Sequence, residues 1–254
     1  MPFTPSHAIV ALPFIRTPLP AGAVAVGAMA PDLPLFFPWG PDYFVTHGFP
    51  SLLWSSVPIA LVLYAVWRVA LRPAVSGLLP PSLGARLPLA WDHPTRPQHP
   101  VKSGLLILVA VLIGVATHVF WDLFTHPGRL GSQWIPALAD QWGPVEGTTW
   151  LQHISSAVGL IGVAIWVVIA ARRAPKVWRT DRRAVVVVRY VAWIAAAAVL
   201  VGAFAIAVAL RGFPTTYPEL RDLAFTPGTR AGAIILVLTL LAAVAVQVLR
   251  RVRR

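Results

Sequence analysis

Apolar and polar positions fall in long blocks along this chain, not in the short alternation of a half-exposed strand or helix. Ser51–Leu71, Ser103–Phe124, Ile154–Ala171, Val185–Leu210 and Ala231–Leu249 consist mostly of Leu, Val, Ile, Ala and Trp. Each block is close to the roughly 20 residues that a helix needs to cross the hydrocarbon core of a bilayer. An earlier apolar stretch, Leu19–Phe37, is broken by Pro20, Pro31, Asp32 and Pro34 and followed by Pro38. It either crosses once or dips into the bilayer and returns, because irregular backbone is tolerated at depth only when protein buries it. The pattern predicts an all-α, polytopic integral membrane bundle of five transmembrane helices with an N-terminal re-entrant or membrane-associated segment.

Composition agrees with the blocks. The 254 residues are 57% hydrophobic and only 12% charged, where a soluble domain carries about 25% charged residues. The formal net charge of +12 would suggest nucleic acid in a soluble protein. Here the cations sit between apolar blocks with no aromatic-basic surface motif, so no nucleic-acid partner is expected and membrane lipids are the expected surroundings.

The loops alternate in charge. Residues 72–102 carry Arg72, Arg86, Arg96 and Lys102 against Asp92, and residues 172–183 carry six cations against Asp181. Residues 126–153 hold only Arg129 against Asp140 and Glu146, residues 211–230 are mixed, and the tail after Leu249 has four arginines. The positive-inside rule then puts 72–102, 172–183 and the C-terminus in the cytoplasm, and 126–153, 211–230 and the segment before Ser51 outside a multi-pass cytoplasmic membrane. Absence of cysteine excludes disulfides, thiolate metal sites and cysteine nucleophiles. Arg16 is a thin n-region and Pro31 follows Ala28-Met29-Ala30 directly, so no cleaved signal peptide is expected.

Pro80–Pro100 is proline-rich and reads as a non-helical loop. The expected organisation is a membrane domain over 1–171, interrupted by the cytoplasmic loop at 72–102, and a two-helix anchor with a basic tail over 172–254. The last two spans are Ala- and Val-rich and offer little chemistry beyond packing.

The strongest chemical signal is Thr117-His118-Val119-Phe120-Trp121-Asp122-Leu123-Phe124-Thr125-His126. Residues four apart stack on one helical face, so His118, Asp122 and His126 form a stripe, with Pro127-Gly128 ending the helix. His and Asp are ligands for zinc or a similar divalent ion. The plainer reading is interhelical hydrogen bonding, but an ionisable residue at membrane depth is costly and is usually paired or functional. His7, Asp32 after Pro31, His47 in Thr46-His47-Gly48, and His153 before Ser155-Ser156 each have an ordinary reading as terminal, turn or interfacial residues, and the two serines read as helix cap or interhelical contacts. By the charge argument His47, His118, Asp122, His126 and His153 all lie at outer ends of spans. The re-entrant model brings His7 and Asp32 to the same side, and it is preferred partly for that reason. His93 and His99 fall in the cytoplasmic loop, apart from this group.

MPFTPSHAIVALP, GAMAPDLPLFF, THG, THVFWDLFTH and LQHISSAVG, in that order, resemble the bacterial membrane family called domain of unknown function 4184. More distantly, the set is similar to inner-membrane metal-dependent hydrolases with the helical fold of zinc-dependent phospholipase C. That resemblance implies a divalent metal, zinc first, on His7, Asp32, His47, His118 and Asp122, with His126 and His153 as further candidates. A bound metal would lower the pKa of water toward about 7, and a pair of ions would clamp a phosphoryl or carbonyl oxygen. Asp32 or Asp122 doubles as catalytic base in this reading, and the substrates are lipid head groups or envelope precursors. The alternatives are a non-catalytic structural or accessory membrane protein, in which His118 and Asp122 bond neighbouring helices, and a transporter, which would need polar residues through the midplane.

Overall fold

A computed structural model describes residues 3–37, 39–86, 99–175 and 181–252. The chain is almost wholly helical. After a 3-10 segment over Thr4–Phe14 come α1 (Ala21–Met29), a second 3-10 segment over Ala30–Phe36, α2 (Tyr43–His47), α3 (Ser56–Val66), α4 (Arg72–Leu78) and α5 (Pro81–Gly84). There follow α6 (Pro100–Thr125), α7 (Leu130–Trp134), a two-stranded ribbon of β1 (Gln141–Trp142) and β2 (Val145–Glu146), α8 (Gly147–Arg173), α9 (Arg183–Arg211) and α10 (Tyr217–Arg251).

Among the described residues five helical stretches are long and apolar enough to cross a membrane: Ser51–Leu78, Pro100–Thr125, Gly147–Arg173, Arg183–Arg211 and Tyr217–Arg251. These contain the five apolar blocks and run past them, because helix ends follow caps and not hydropathy. His99 caps α6 by accepting from the Val101 amide, and Pro100 sits where a missing N–H costs nothing. Thr216 and Glu219 form a capping box at the start of α10. The ribbon and α7 were not foreseen in the segment 126–153. Within the stretch read as a non-helical loop, Pro81–Gly84 makes one helical turn, while residues 87–98, with His93, lie outside the described residues.

The chain divides into two compact units. The first comprises Met1–Pro34, Pro41–Tyr64 and Pro88–Arg173; the second comprises Leu35–Gly40, Ala65–Leu87 and Ala174–Arg254. The first unit is organised by an N-terminal hairpin. Thr4–Phe14 runs along α8, anchored by the Phe3 amide donating to Ser156 Oγ at 2.8 Å. It lies so close that a Cβ on Gly159 would come 2.5 Å from the Ser6 carbonyl oxygen. The chain turns at Thr17, whose hydroxyl donates to the Phe14 carbonyl. Then α1 packs on α6 through Gly27 and Gly114; a Cβ on Gly27 would lie 2.5 Å from the Val111 carbonyl oxygen. Small residues allow this backbone-to-backbone approach, the usual solution where lipid gives helices no hydrophobic reason to associate. The hairpin returns Asp32 to the end at which His7 entered, as the re-entrant reading expected.

In the second unit Ala74, Val185, Ala243 and Val246 form a buried cluster of α4, α9 and α10. Pro73 cannot donate to the ladder and crowds the carbonyl four residues earlier. The backbone is π-helical over Trp67–Leu71, and the Gln247 amide donates to the Val69 and Ala70 carbonyls at 3.2 and 2.8 Å. Arg189 is buried, with Nε donating to the Gly77 carbonyl, and its guanidinium pairs with Asp181, which also receives Arg250 at 3.3 Å.

Candidate metal centre

Three segments deliver the four residues of the site. The second 3-10 segment holds Asp32, α2 ends in His47, and α6 carries His118 and Asp122 one turn apart. Asp42 caps α2 by accepting from the Phe44 amide. The hydroxyls of Ser55 and Ser56 take up the free Val45 and Thr46 carbonyls at its other end, so this five-residue helix is fixed at both ends. All four side chains are buried: Asp32 at 0% exposure, His118 at 1%, Asp122 at 3% and His47 at 5%.

One ligand atom from each of Asp32, His47, His118 and Asp122 lies within 4.8 Å of the other three. His47 Nε2 is 3.2 Å from His118 Nε2, 3.5 Å from Asp32 Oδ1 and 3.5 Å from Asp122 Oδ2. His118 Nε2 is 3.4 Å from Asp32 Oδ1 and 3.6 Å from Asp122 Oδ2. A tetrahedron with zinc-ligand bonds of about 2.0–2.2 Å has edges of about 3.3–3.6 Å; four of these five separations fall in that range and the His47–His118 edge, at 3.2 Å, lies just below it.

The outer hydrogen bonds orient these groups. His118 Nδ1 lies 2.7 Å from the Ala28 carbonyl oxygen, and His47 Nδ1 lies 3.1 Å from the Tyr43 carbonyl oxygen. A carbonyl only accepts, so each Nδ1 carries the proton and each Nε2 presents a lone pair inward. Thr4 Oγ1 donates to Asp32 Oδ2 at 2.8 Å, leaving the buried Oδ1 without a hydrogen bond. Tyr43 Oη donates to Asp122 Oδ2 at 3.1 Å, while its ring stacks on His47 at 3.9 Å between centroids. Burial and the nearby Asp122 carboxylate raise the Tyr43 phenol above its ordinary pKa, which keeps it a donor. Two lone pairs and two carboxylate oxygens therefore converge with no donor among them. An acceptor-only cluster in a dry interior is what a cation stabilises.

His7 and His126 flank this group. The His7 ring stacks on His118 at 4.1 Å, and burial lowers its pKa to about 4. His126 is not on the helix proper: α6 ends at Thr125, and His126 is its extended C-cap, with Nδ1 3.2 Å from the Asp122 carbonyl oxygen. Burial lowers its pKa as well. The Nε2 atoms of both are buried without a hydrogen-bond partner. His153 is exposed on α8 and is not one of the four convergent residues, and His99 serves as the α6 cap. Ser156, read as a cap or interhelical contact, anchors the N-terminal hairpin.

Sequence reasoning did not single out Thr4, Tyr43 or Thr125. Tyr43 stands four residues before His47, and Thr4 three before His7, spacings that place a hydroxyl beside an imidazole on a helical turn.

The sequence profile of a family described as Domain of unknown function (DUF4184) matches residues 1–249. The chain belongs to this family. Neither a curated protein nor a solved structure matches it. The DUF4184 match spans both units, so the centre and the basic second unit fall within one family domain.

Proposed function

We propose that this DUF4184 protein is a membrane-embedded, metal-dependent hydrolase, acting at the outer face of the cytoplasmic membrane on phosphoester or lipid-linked substrates. One observation carries the reading: Asp32, His47, His118 and Asp122 present four acceptor atoms to a common point, at separations suited to a tetrahedral ion. The N2O2 donor set suits zinc. When bound, such an ion would polarise a phosphoryl or carbonyl oxygen and lower the pKa of water toward about 7. The surrounding residues have separate tasks. Ala28 and Tyr43 carbonyls fix the imidazole tautomers, Thr4 and Thr125 hydroxyls hold the outer carboxylate oxygens, and the Tyr43 hydroxyl donates to the inward Asp122 oxygen. Asp32 and Asp122 are the candidate bases, and His7 and His126, with unpartnered Nε2 atoms, are the candidate ligands for a second ion. His153 is a more peripheral candidate. The charge of the flanking loops supports an outer location.

The test is elemental analysis of detergent-purified wild type beside His118→Ala, followed by product release from a panel of phospholipids and phosphoester lipids with and without chelator. About one zinc or manganese per wild-type chain, lost in the variant, and a chelator-sensitive product are expected. A metal-free, folded wild type overturns the whole reading; stoichiometric metal without product overturns only the hydrolase part.

A second reading has its own observation. Thr4 to Asp32, Tyr43 to Asp122 and His118 to the Ala28 carbonyl involve five segments in a polar latch. In an accessory protein that latch alone would explain the residues. Asp122→Asn would then keep both the fold and any cellular phenotype.

A further inference from the structure

A cleft of about 310 Å³ opens between the end of the N-terminal 3-10 segment and the last turns of α8, lined among others by Leu12, Ile15, Arg16, Trp166, Ile169 and Arg173. The metal centre is remote from it. Ser156, which anchors Phe3 beside the centre, and Arg173 are 17 residues apart on α8, about 25 Å at 1.5 Å per residue. The cleft has one polar end and one apolar wall. Arg16 and Arg173 are exposed, neither has an ion-pair or hydrogen-bond partner among the described residues, and no lining residue is acidic. Two unneutralised guanidiniums at one cleft repel each other and favour an anion between them. Guanidinium forks match phosphate oxygens.

The rest of the lining selects the kind of anion. Leu12, Ile15 and Ile169 form an apolar wall, and α8 continues it outside the cleft through exposed Ile165 and Val168. Trp166 also lines the cleft, two helical turns before Arg173, and tryptophan is favoured at membrane interfaces. A free phosphate would use the arginines and leave the wall in contact with nothing. A peptide would need backbone partners, and the lining side chains supply none beyond the two guanidiniums.

We propose that this cleft binds one anionic diacyl phospholipid, its phosphodiester between Arg16 and Arg173 and its acyl chains along Ile15, Ile169 and the exposed face of α8. The site lies at the opposite end of α8 from the metal centre, and it stands whether or not that centre is catalytic.

The experiment is lipid retention by the full chain. Protein in nanodiscs of phosphatidylcholine with one tenth phosphatidylglycerol is extracted gently, and the bound lipid is measured by native mass spectrometry. The expected result is one phosphatidylglycerol retained per chain over phosphatidylcholine. Each basic side chain near the headgroups contributes about fivefold, so Arg16→Gln or Arg173→Gln lowers the preference about fivefold and the double variant roughly 25-fold. Lysine at both positions restores most of it. Ala170→Trp keeps both charges but fills the cleft, and it should release the lipid as well. All these positions are partly or fully exposed, so the fold survives the changes. Undiminished phosphatidylglycerol retention in the double glutamine variant, equal retention of phosphatidylcholine by wild type, or complete displacement by millimolar glycerol phosphate would each overturn the proposal, the last by showing that the anion alone is recognised.

Discussion

Replacing Asp122 by asparagine separates a metal ligand from a structural latch, because the two side chains have the same shape. Asp122 Oδ2 receives the Tyr43 hydroxyl at 3.1 Å, and Oδ1 receives the Thr125 hydroxyl at 3.3 Å. Asparagine keeps one acceptor, and the hydroxyl facing its new NH2 group can rotate to accept instead. The latch therefore loses about 1 kcal/mol or less. The metal centre loses far more. Two carboxylates and two neutral imidazoles balance a divalent ion, and the variant leaves one positive charge uncompensated where Asp122 is 3% exposed. A four-ligand zinc site is worth about 10–16 kcal/mol. One quarter of that is about 2.5–4 kcal/mol, a loss of roughly two to three orders of magnitude in affinity. At a free zinc concentration 100 times the wild-type dissociation constant, zinc stabilises wild type by about 2.7 kcal/mol and the variant by about 0.4 kcal/mol or less. Thermal unfolding followed by tryptophan fluorescence, with and without zinc, reads the difference, and circular dichroism checks the helix content. Equal zinc-induced stabilisation of both proteins would refute the assignment of Asp122 as a ligand.

Other perturbations test the supports. Tyr43→Phe keeps the ring stacked on His47 and removes only the bond to Asp122, so metal affinity, measured by competition with a chromophoric chelator, should fall about 10- to 100-fold with helix content unchanged. In Gly114→Ala the new Cβ would meet backbone alone, including Ala28 N at 2.7 Å and Gly27 C at 2.9 Å. Chemical denaturation should show a loss of about 1–3 kcal/mol, and metal affinity should drop as the Ala28 carbonyl shifts from His118. Gly104→Ala, with nothing within 4 Å of its Cβ, is the control: it lacks the clash, should gain up to about 1 kcal/mol as a helical glycine replaced by alanine, and should keep metal affinity. Asp181→Ala strands buried Arg189 without its counter-charge and should cost about 3 kcal/mol in the same denaturation assay, leaving metal content unchanged.

The membrane class and the five spans were legible because hydrocarbon demands long apolar blocks and the chain supplies them almost without interruption. His118 and Asp122 were legible for a related reason: an ionisable pair one turn apart on an apolar helix needs a partner. The N-terminal hairpin was legible only as an alternative. Prolines at 5, 13, 18 and 20 interrupt ordinary α-helix there, but they do not say whether the chain returns. What decides the return is steric. Gly159 admits Ser6, and Gly27 meets Gly114, contacts between positions far apart in sequence that no local periodicity encodes.

His126 shows where helical spacing misleads. It sits four residues after Asp122, yet Pro127-Gly128 ends α6 one residue early, and His126 takes an extended cap conformation. Its Nδ1 approaches the Asp122 carbonyl while its Nε2 stays buried without a partner. The same position explains why the convergent set has four members with a different fifth on each side. His7 enters from the hairpin and His126 from a helix end, so the two unpartnered imidazoles flank a centre whose own ligands come from one 3-10 turn, one short capped helix and one long helix. A single ion satisfies the four acceptors. It leaves both flanking Nε2 atoms unsatisfied in a dry interior, each at a desolvation cost of about 1–3 kcal/mol. That residual cost is the physical reason to expect a second cation, or the polar end of a substrate, beside the first.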